Sequence, residues 1–227
     1  MWYQRVADAD AEATGNDLEL LSPHECEVHA ALRAEAQPEY RAAHALLRRV
    51  LSRYLPLSPG AWIFESDDEG RPRVANAPGD SGLDFNLSHT QGLVACAVTR
   101  SGRVGIDVEV LGPERKLDRV AARILGDRER SWWQGLPSED QALALLDLWT
   151  LKEAHFKASS KGVRWPFSSL EFVLGSEEEV SRLDATRASS EGEAWHYARR
   201  ALSSRHRMAV AFLGNEKPLW QIAAFPG

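Results

Sequence analysis

The chain has 227 residues, enough for one large domain or two small ones. Hydrophobic residues make up 44% and charged residues 26%, an ordinary globular balance, and 33 acidic against 27 basic side chains leave a net charge of −6. This excludes a general nucleic-acid or anionic-membrane binder, and no apolar run is long enough to span a bilayer. The acidic N-terminal stretch lacks the basic-then-apolar order of a signal peptide. Two cysteines, Cys26 and Cys96, are too few for a disulfide framework or a structural zinc site. The expectation is a cytoplasmic protein with reduced thiols and no nucleic-acid or membrane partner.

In chain order, residues 39–54 predict a helix, since Tyr40, Ala43, Leu47, Val50, Leu51 and Tyr54 recur at helical spacing between Pro38 and Pro56. Residues 65–82 read as a loop, punctuated by Asp67, Asp68, Gly70, Pro72, Pro78 and Gly79. Phe85-Asn86-Leu87-Ser88-His89-Thr90 reads as a polar turn entering a strand at 93–98. That strand and residues 104–110 flank Arg100-Ser101-Gly102 and read as a hairpin. A second helix spans 139–159, with Leu145, Leu146, Trp149 and Phe156 as its stripe, Ser138 as N-cap and Gly162 as C-cap. Strands follow at 170–174, 195–201 and 208–213, and the Ser- and Glu-rich residues 175–192 read as an exposed hairpin or loop. The order helix, strand, loop, hairpin recurs loosely in the two halves. The expected fold is α+β: two pseudo-symmetric lobes, residues 1–103 and 104–227, each a small antiparallel sheet packed on a long helix, with the active site in the cleft between them.

Four features carry chemistry. In Gly105-Ile106-Asp107-Val108-Glu109, strand alternation puts Asp107 and Glu109 on one face. A solvated sheet face and a divalent-cation site both fit this segment. Glu153 sits in the apolar stripe of the second helix, where an unpaired carboxylate is costly and demands a partner. Lys157 lies one turn further on and also fits a simple i,i+4 ion pair. Were Asp107, Glu109 and Glu153 to converge, two carboxylates about 4 Å apart would repel by roughly 4 kcal/mol at an effective dielectric of 20, and a cation relieves this. An all-oxygen set favours Mg²⁺ or Mn²⁺, and Mg²⁺ commonly completes its shell with substrate phosphates. The turn with Asn86, Ser88 and His89 offers ligand hydrogen bonds, although such residues often bond their own backbone. Arg71, between a glycine and a proline, carries a phosphate-matching fork of donors and equally suits a surface arginine.

FNLSH, then VGIDVE, then WTLKEAHFKASSKG, in this order and spacing, resemble the 4′-phosphopantetheinyl transferase superfamily, and the length resembles its two-lobed type, which activates peptide and polyketide synthetases. The resemblance covers about residues 38–170. It implies Mg²⁺-dependent transfer of the phosphopantetheine arm of coenzyme A to a serine of an apo acyl, peptidyl or polyketide carrier protein, releasing adenosine 3′,5′-bisphosphate, as a holo-[acyl-carrier-protein] synthase type enzyme. The implied metal ligands are Asp107, Glu109 and Glu153, with Mn²⁺ as an alternative ion. The implied phosphate contacts are Arg71, Ser88, His89, Lys152 and Lys157, with Asn86 orienting the same turn and Arg33 and Arg41 as further coenzyme A contacts. Lys157 and His89 would stabilise developing charge. Glu153, directly or through a water held by the metal, would be the base. The basic stretch with Arg115, Lys116, Arg119 and Arg123 reads either as a solvated helix face or as the carrier-protein docking surface, as in relatives, and Trp132 and Trp133 pack under it or help it dock. The two-lobed type also implies a monomer. A phosphohydrolase and a non-catalytic binder of carrier protein or coenzyme A are the competing readings.

Overall fold

The structure, a computed structural model, describes residues 1–6, 17–68, 70–79, 81–112, 117–159, 166–175, 180–183 and 194–226. The chain divides into two compact units, one of Met1–Ser101 with Gln221–Gly227 and one of Gly102–Trp220.

In the first unit, β1 (Trp2–Arg5) is followed by α1 (Pro23–Ala31). A capping box starts α1: Ser22 Oγ accepts from the Glu25 amide and the Glu25 carboxylate accepts from the Ser22 amide. Next comes α2 (Gln37–Leu51), with Pro38 in its first turn, where the missing N–H has no helical partner to lose. Its face of Ala43, Leu46, Leu47, Val50 and Leu51 joins Trp62, Phe85, Val94 and Cys96 in one apolar core. The helix stops three residues before the expected end. Turn bonds from Arg53 to Val50 and from Tyr54 to Leu51 take over there.

The expected loop at 65–82 contains a short antiparallel pair, β2 (Phe64–Ser66) and β3 (Pro72–Val74). The expected polar turn is a strand. β4 (Asp84–Thr90) pairs antiparallel with β5 (Leu93–Thr99), and the turn is Gln91-Gly92, where Gly92 takes a φ of 76°. Phe85 and Leu87 alternate into the core, so the polar residues between them occupy the other face rather than a loop. A two-residue strand, Ala223–Ala224, pairs parallel with β1.

The second unit opens with β6 (Arg103–Val110). The expected hairpin of β5 with β6 does not form: β5 lies between β1 and β4, whereas β6 pairs antiparallel with β10 (His206–Gly214), which pairs in turn with β9 (Ala194–Ala201). Gly102, at φ 73°, makes the switch, and a Cβ there would strike the backbone of Leu213. The helices are α3 (Leu117–Ile124), α4 (Asp127–Gln134) and α5 (Ser138–Ser159). A single 3-10 turn, Phe167–Ser169, precedes the ribbon of β7 (Phe172–Leu174) and β8 (Val180–Arg182), and β8 falls where the sequence reads as a hairpin or loop. Gly162, Arg115 and Lys116 lie outside the described residues.

Topology repeats between the units. Each runs strand, helix, hairpin, with the last strand central: β1-β5-β4 against α2, and β6-β10-β9 against α5. Each also carries a 3-10 turn followed by a two-stranded ribbon. The fold is α+β. No helix among the described residues is long and apolar enough to cross a membrane.

Candidate active site

The site is built where β6 presses onto α5. Gly105 permits the approach, because a Cβ there would run into the backbone of Ala154 and Ala158. Both alanines are fully buried, so small residues line each side of the contact. Strand alternation then turns Asp107 and Glu109 to the same face as Gly105, toward α5. From the helix, Trp149, Glu153 and Lys157 stand at successive i,i+4 positions and share one face.

Asp107 is buried and its Oδ1 accepts from the Lys157 ammonium at 2.7 Å. The same ammonium reaches the Ile106 carbonyl at 3.2 Å, which fixes it to the strand backbone. Glu109 Oε1 accepts from the Trp149 indole N–H at 3.3 Å. Burial, and then the neighbouring charges of Asp107 and Glu109, raise the Glu153 carboxyl above its usual range, with Lys157 opposing them. Glu153 thus lies within electrostatic reach of both strand carboxylates.

Among the described residues, no three His, Cys, Asp or Glu side chains are drawn together tightly enough to hold a metal ion. Lys157 supplies a positive charge directly to Asp107. The donor chemistry still fits a hard divalent ion: all three candidates are carboxylates, two share a strand face, and their mutual repulsion is what such an ion offsets.

Lys152 requires a correction. It is completely buried, and its ammonium donates to Glu129, to the Ile124 carbonyl and to the Phe167 carbonyl. Those three acceptors use all three of its N–H bonds, so it does not present a donor to a phosphate. Glu129, equally buried, also accepts from the amides of Gly126 and Phe172. Burial raises the Glu129 carboxyl and lowers the Lys152 ammonium, each countered by the other's charge. The sequence concealed this pair because α5 is buried around most of its circumference, with Asp147, Thr150 and His155 inside as well as the apolar stripe.

The remaining sequence candidates belong to the first unit. Arg71 donates through one terminal nitrogen to Asp84 at 2.7 Å and to the Phe85 carbonyl at 2.9 Å, tying its loop to β4. Asn86 and Ser88 are buried on one face of β4, opposite Ala97 and Ala95 in the ladder, and His89 is exposed near the strand end. Arg33 is exposed before the turn Ala34–Ala36, and Arg41 lies half-buried in α2. Sequence reasoning missed the cluster that joins Glu25 of α1 to His44 and Arg48 of α2. Glu25 takes a two-nitrogen clamp from the buried Arg48 at 3.1 and 2.6 Å and pairs with His44 at 2.7 Å. It also missed Trp149 as a polar group, although an indole one turn before a stripe carboxylate was the available signal.

Comparison with known proteins adds an independent line. The family model of the 4′-phosphopantetheinyl transferase superfamily matches residues 103–211. The chain is 38% identical over 130 residues to the 4′-phosphopantetheinyl transferase HetI of Nostoc sp., covering 56% of this chain and 55% of that protein. It is 34% identical over 154 residues to the 4′-phosphopantetheinyl transferase AcpT of Salmonella typhimurium, covering 67% of this chain and 76% of that protein. A holo-(acyl-carrier-protein) synthase from Bacillus anthracis, solved in complex with CoA (3′,5′-ADP), aligns at a TM-score of 0.43 and 23% identity, over 51% of this chain and 98% of that one. The matches span about half the length of several curated relatives. The family match covers the strand with Asp107 and Glu109 and the helix with Trp149, Glu153 and Lys157, and the chain belongs to the 4′-phosphopantetheinyl transferase superfamily.

Proposed function

We propose that the protein transfers the 4′-phosphopantetheine arm of coenzyme A to a serine of an apo carrier protein of acyl, peptidyl or polyketide type and releases adenosine 3′,5′-bisphosphate. The observation that carries this reading is the family match over the strand of Asp107 and Glu109 and the helix of Glu153 and Lys157, two elements packed together with Lys157 paired to Asp107. Asp107, Glu109 and Glu153 are the residues to hold Mg²⁺ or Mn²⁺. Such a cation, when bound, supplies positive charge to the pyrophosphate that is cleaved. Lys157 adds a second positive charge at the same place, and Asp107 and the Ile106 carbonyl orient it. Glu153 is proposed as the base that takes the proton of the attacking serine hydroxyl. Coenzyme A contacts are proposed for Arg71, Asn86, Ser88 and His89 and, more remotely along the chain, for Arg33 and Arg41. Lys152 leaves that set.

The carrier protein is proposed to dock on α3. That helix buries Ala121 and Ile124 and leaves Arg119 and Arg123 exposed, an arrangement suited to an acidic partner. Trp133, just beyond it, is buried and donates to the Gln141 carbonyl at 2.8 Å, whereas Trp132 is 41% exposed. The chain is proposed to act as a cytoplasmic monomer.

The test is incubation with coenzyme A, Mg²⁺ and an apo carrier protein, read by intact mass. Addition of the arm raises the carrier mass by about 340 Da. Hydrolysis of coenzyme A with an unmodified carrier would instead identify a phosphohydrolase, and binding without turnover a non-catalytic family member.

A further inference from the structure

The indole of Trp149 is placed with unusual definition for a half-buried side chain. Its ring lies parallel to that of Phe167, with centroids 5.3 Å apart and planes 8° apart. Phe167 is buried and meets Phe156 edge to face at 5.1 Å. The Phe167 carbonyl is one of the three acceptors that hold the Lys152 ammonium, so the turn Phe167–Ser169 is anchored to the fully buried Lys152–Glu129 pair. The chain of contacts runs from that pair to Phe167, to the indole plane, and through the indole N–H to Glu109 Oε1. An indole nitrogen only donates, and here its acceptor is a carboxylate. Arg207, opposite Glu109 in the β6–β10 ladder, directs its Nε to Asp147 at 3.3 Å.

We infer that Trp149 is a positioning residue: its stacked indole holds one oxygen of Glu109 by hydrogen bond and so fixes the orientation of a carboxylate that would help hold the cation. This inference rests on the proposed metal role of Glu109. A group one step removed from a metal typically changes affinity or activity by about 10–100-fold when lost. Phenylalanine at this position keeps the stack and removes only the donor.

Trp149→Phe is therefore titrated with Mn²⁺ in the presence of coenzyme A and without carrier protein, and free Mn²⁺ is read by electron paramagnetic resonance. The expected result is a dissociation constant about tenfold higher than wild type. The thermal midpoint should stay within about 5 °C of wild type. In turnover, the half-saturating Mg²⁺ concentration should rise while kcat recovers at high Mg²⁺. Trp149→Phe in the Glu109→Gln background should add little to the Mn²⁺ defect of Glu109→Gln alone. Equal Mn²⁺ affinity in wild type and Trp149→Phe overturns the inference and leaves the proposed function standing. Wild-type protein that takes up no Mn²⁺ overturns the metal reading itself. Should the variant not fold, the ¹⁵N-indole resonance of Trp149 in the wild type decides: it should move in Glu109→Gln, and an unmoved signal refutes the contact.

Discussion

Lys152→Met offers the sharpest separation of structure from family expectation. A phosphate-binding lysine would lose coenzyme A affinity on substitution and leave stability alone. The structure requires the opposite. Methionine fills much of the same space but strands the Glu129 carboxylate, which is completely buried. Removing one partner of a buried ion pair costs about 3–5 kcal/mol, because the other is left without compensation. Two amides, of Gly126 and Phe172, still donate to Glu129, which limits the loss. The double variant Lys152→Met/Glu129→Leu should recover only part of it, since those amides then lose their acceptor at about 1–3 kcal/mol each. For a chain of this size, 3 kcal/mol lowers the melting midpoint by roughly 6–12 °C. Calorimetry measures the midpoint, and steady-state assays on the folded variant, well below it, should give a KM for coenzyme A within about twofold of wild type. An unchanged midpoint with a KM raised tenfold or more would refute the assignment of Lys152 to the core.

Gly105→Ala should be more damaging than its size suggests, since the added methyl meets the backbone of α5 rather than a movable side chain. Overpacking of this kind costs about 1–3 kcal/mol, and the displaced Asp107 should lower kcat as well, which denaturation and turnover assays on one preparation will show. Glu25 sets a pH dependence in the first unit. Although burial alone would raise its carboxyl, the His44, Ser22 and Arg48 contacts outweigh that and bring it from 4.5 down to about 2. A depressed carboxyl stabilises above its unfolded value and loses that stabilisation as pH falls toward 2. The contribution is at most roughly 3 kcal/mol before solvent screening. Urea denaturation of wild type should therefore weaken between pH 5 and pH 2 more steeply than that of Glu25→Gln; parallel curves would contradict the clamp. Replacing both Arg119 and Arg123 with Ala should raise KM for the carrier and flatten its salt dependence, with KM for coenzyme A unchanged.

The legible parts of the sequence were those governed by local periodicity. Both long helices follow from apolar spacing, the first also from Pro38 and Pro56 at its ends, and the shared face of Asp107 and Glu109 follows from strand alternation alone. Glu153 announced itself as a carboxylate among apolar neighbours. What stayed hidden depended on pairing across distance. Nothing local to Leu93 or Val104 says that each strand finds its partner in a different hairpin. The polar residues of β4 resembled a turn because their apolar alternates, Phe85 and Leu87, are too few to declare a strand. Lys152 looked available because solvent exposure cannot be read from a helix that is buried nearly all round.

The central claim is best tested by the anomalous scattering of Mn²⁺ in crystals of the protein grown with coenzyme A. The account predicts one strong peak within coordination distance of carboxylate oxygens from Asp107, Glu109 and Glu153, beside the pyrophosphate. A pyrophosphate bound with no peak there, or a peak held by other residues, would contradict it.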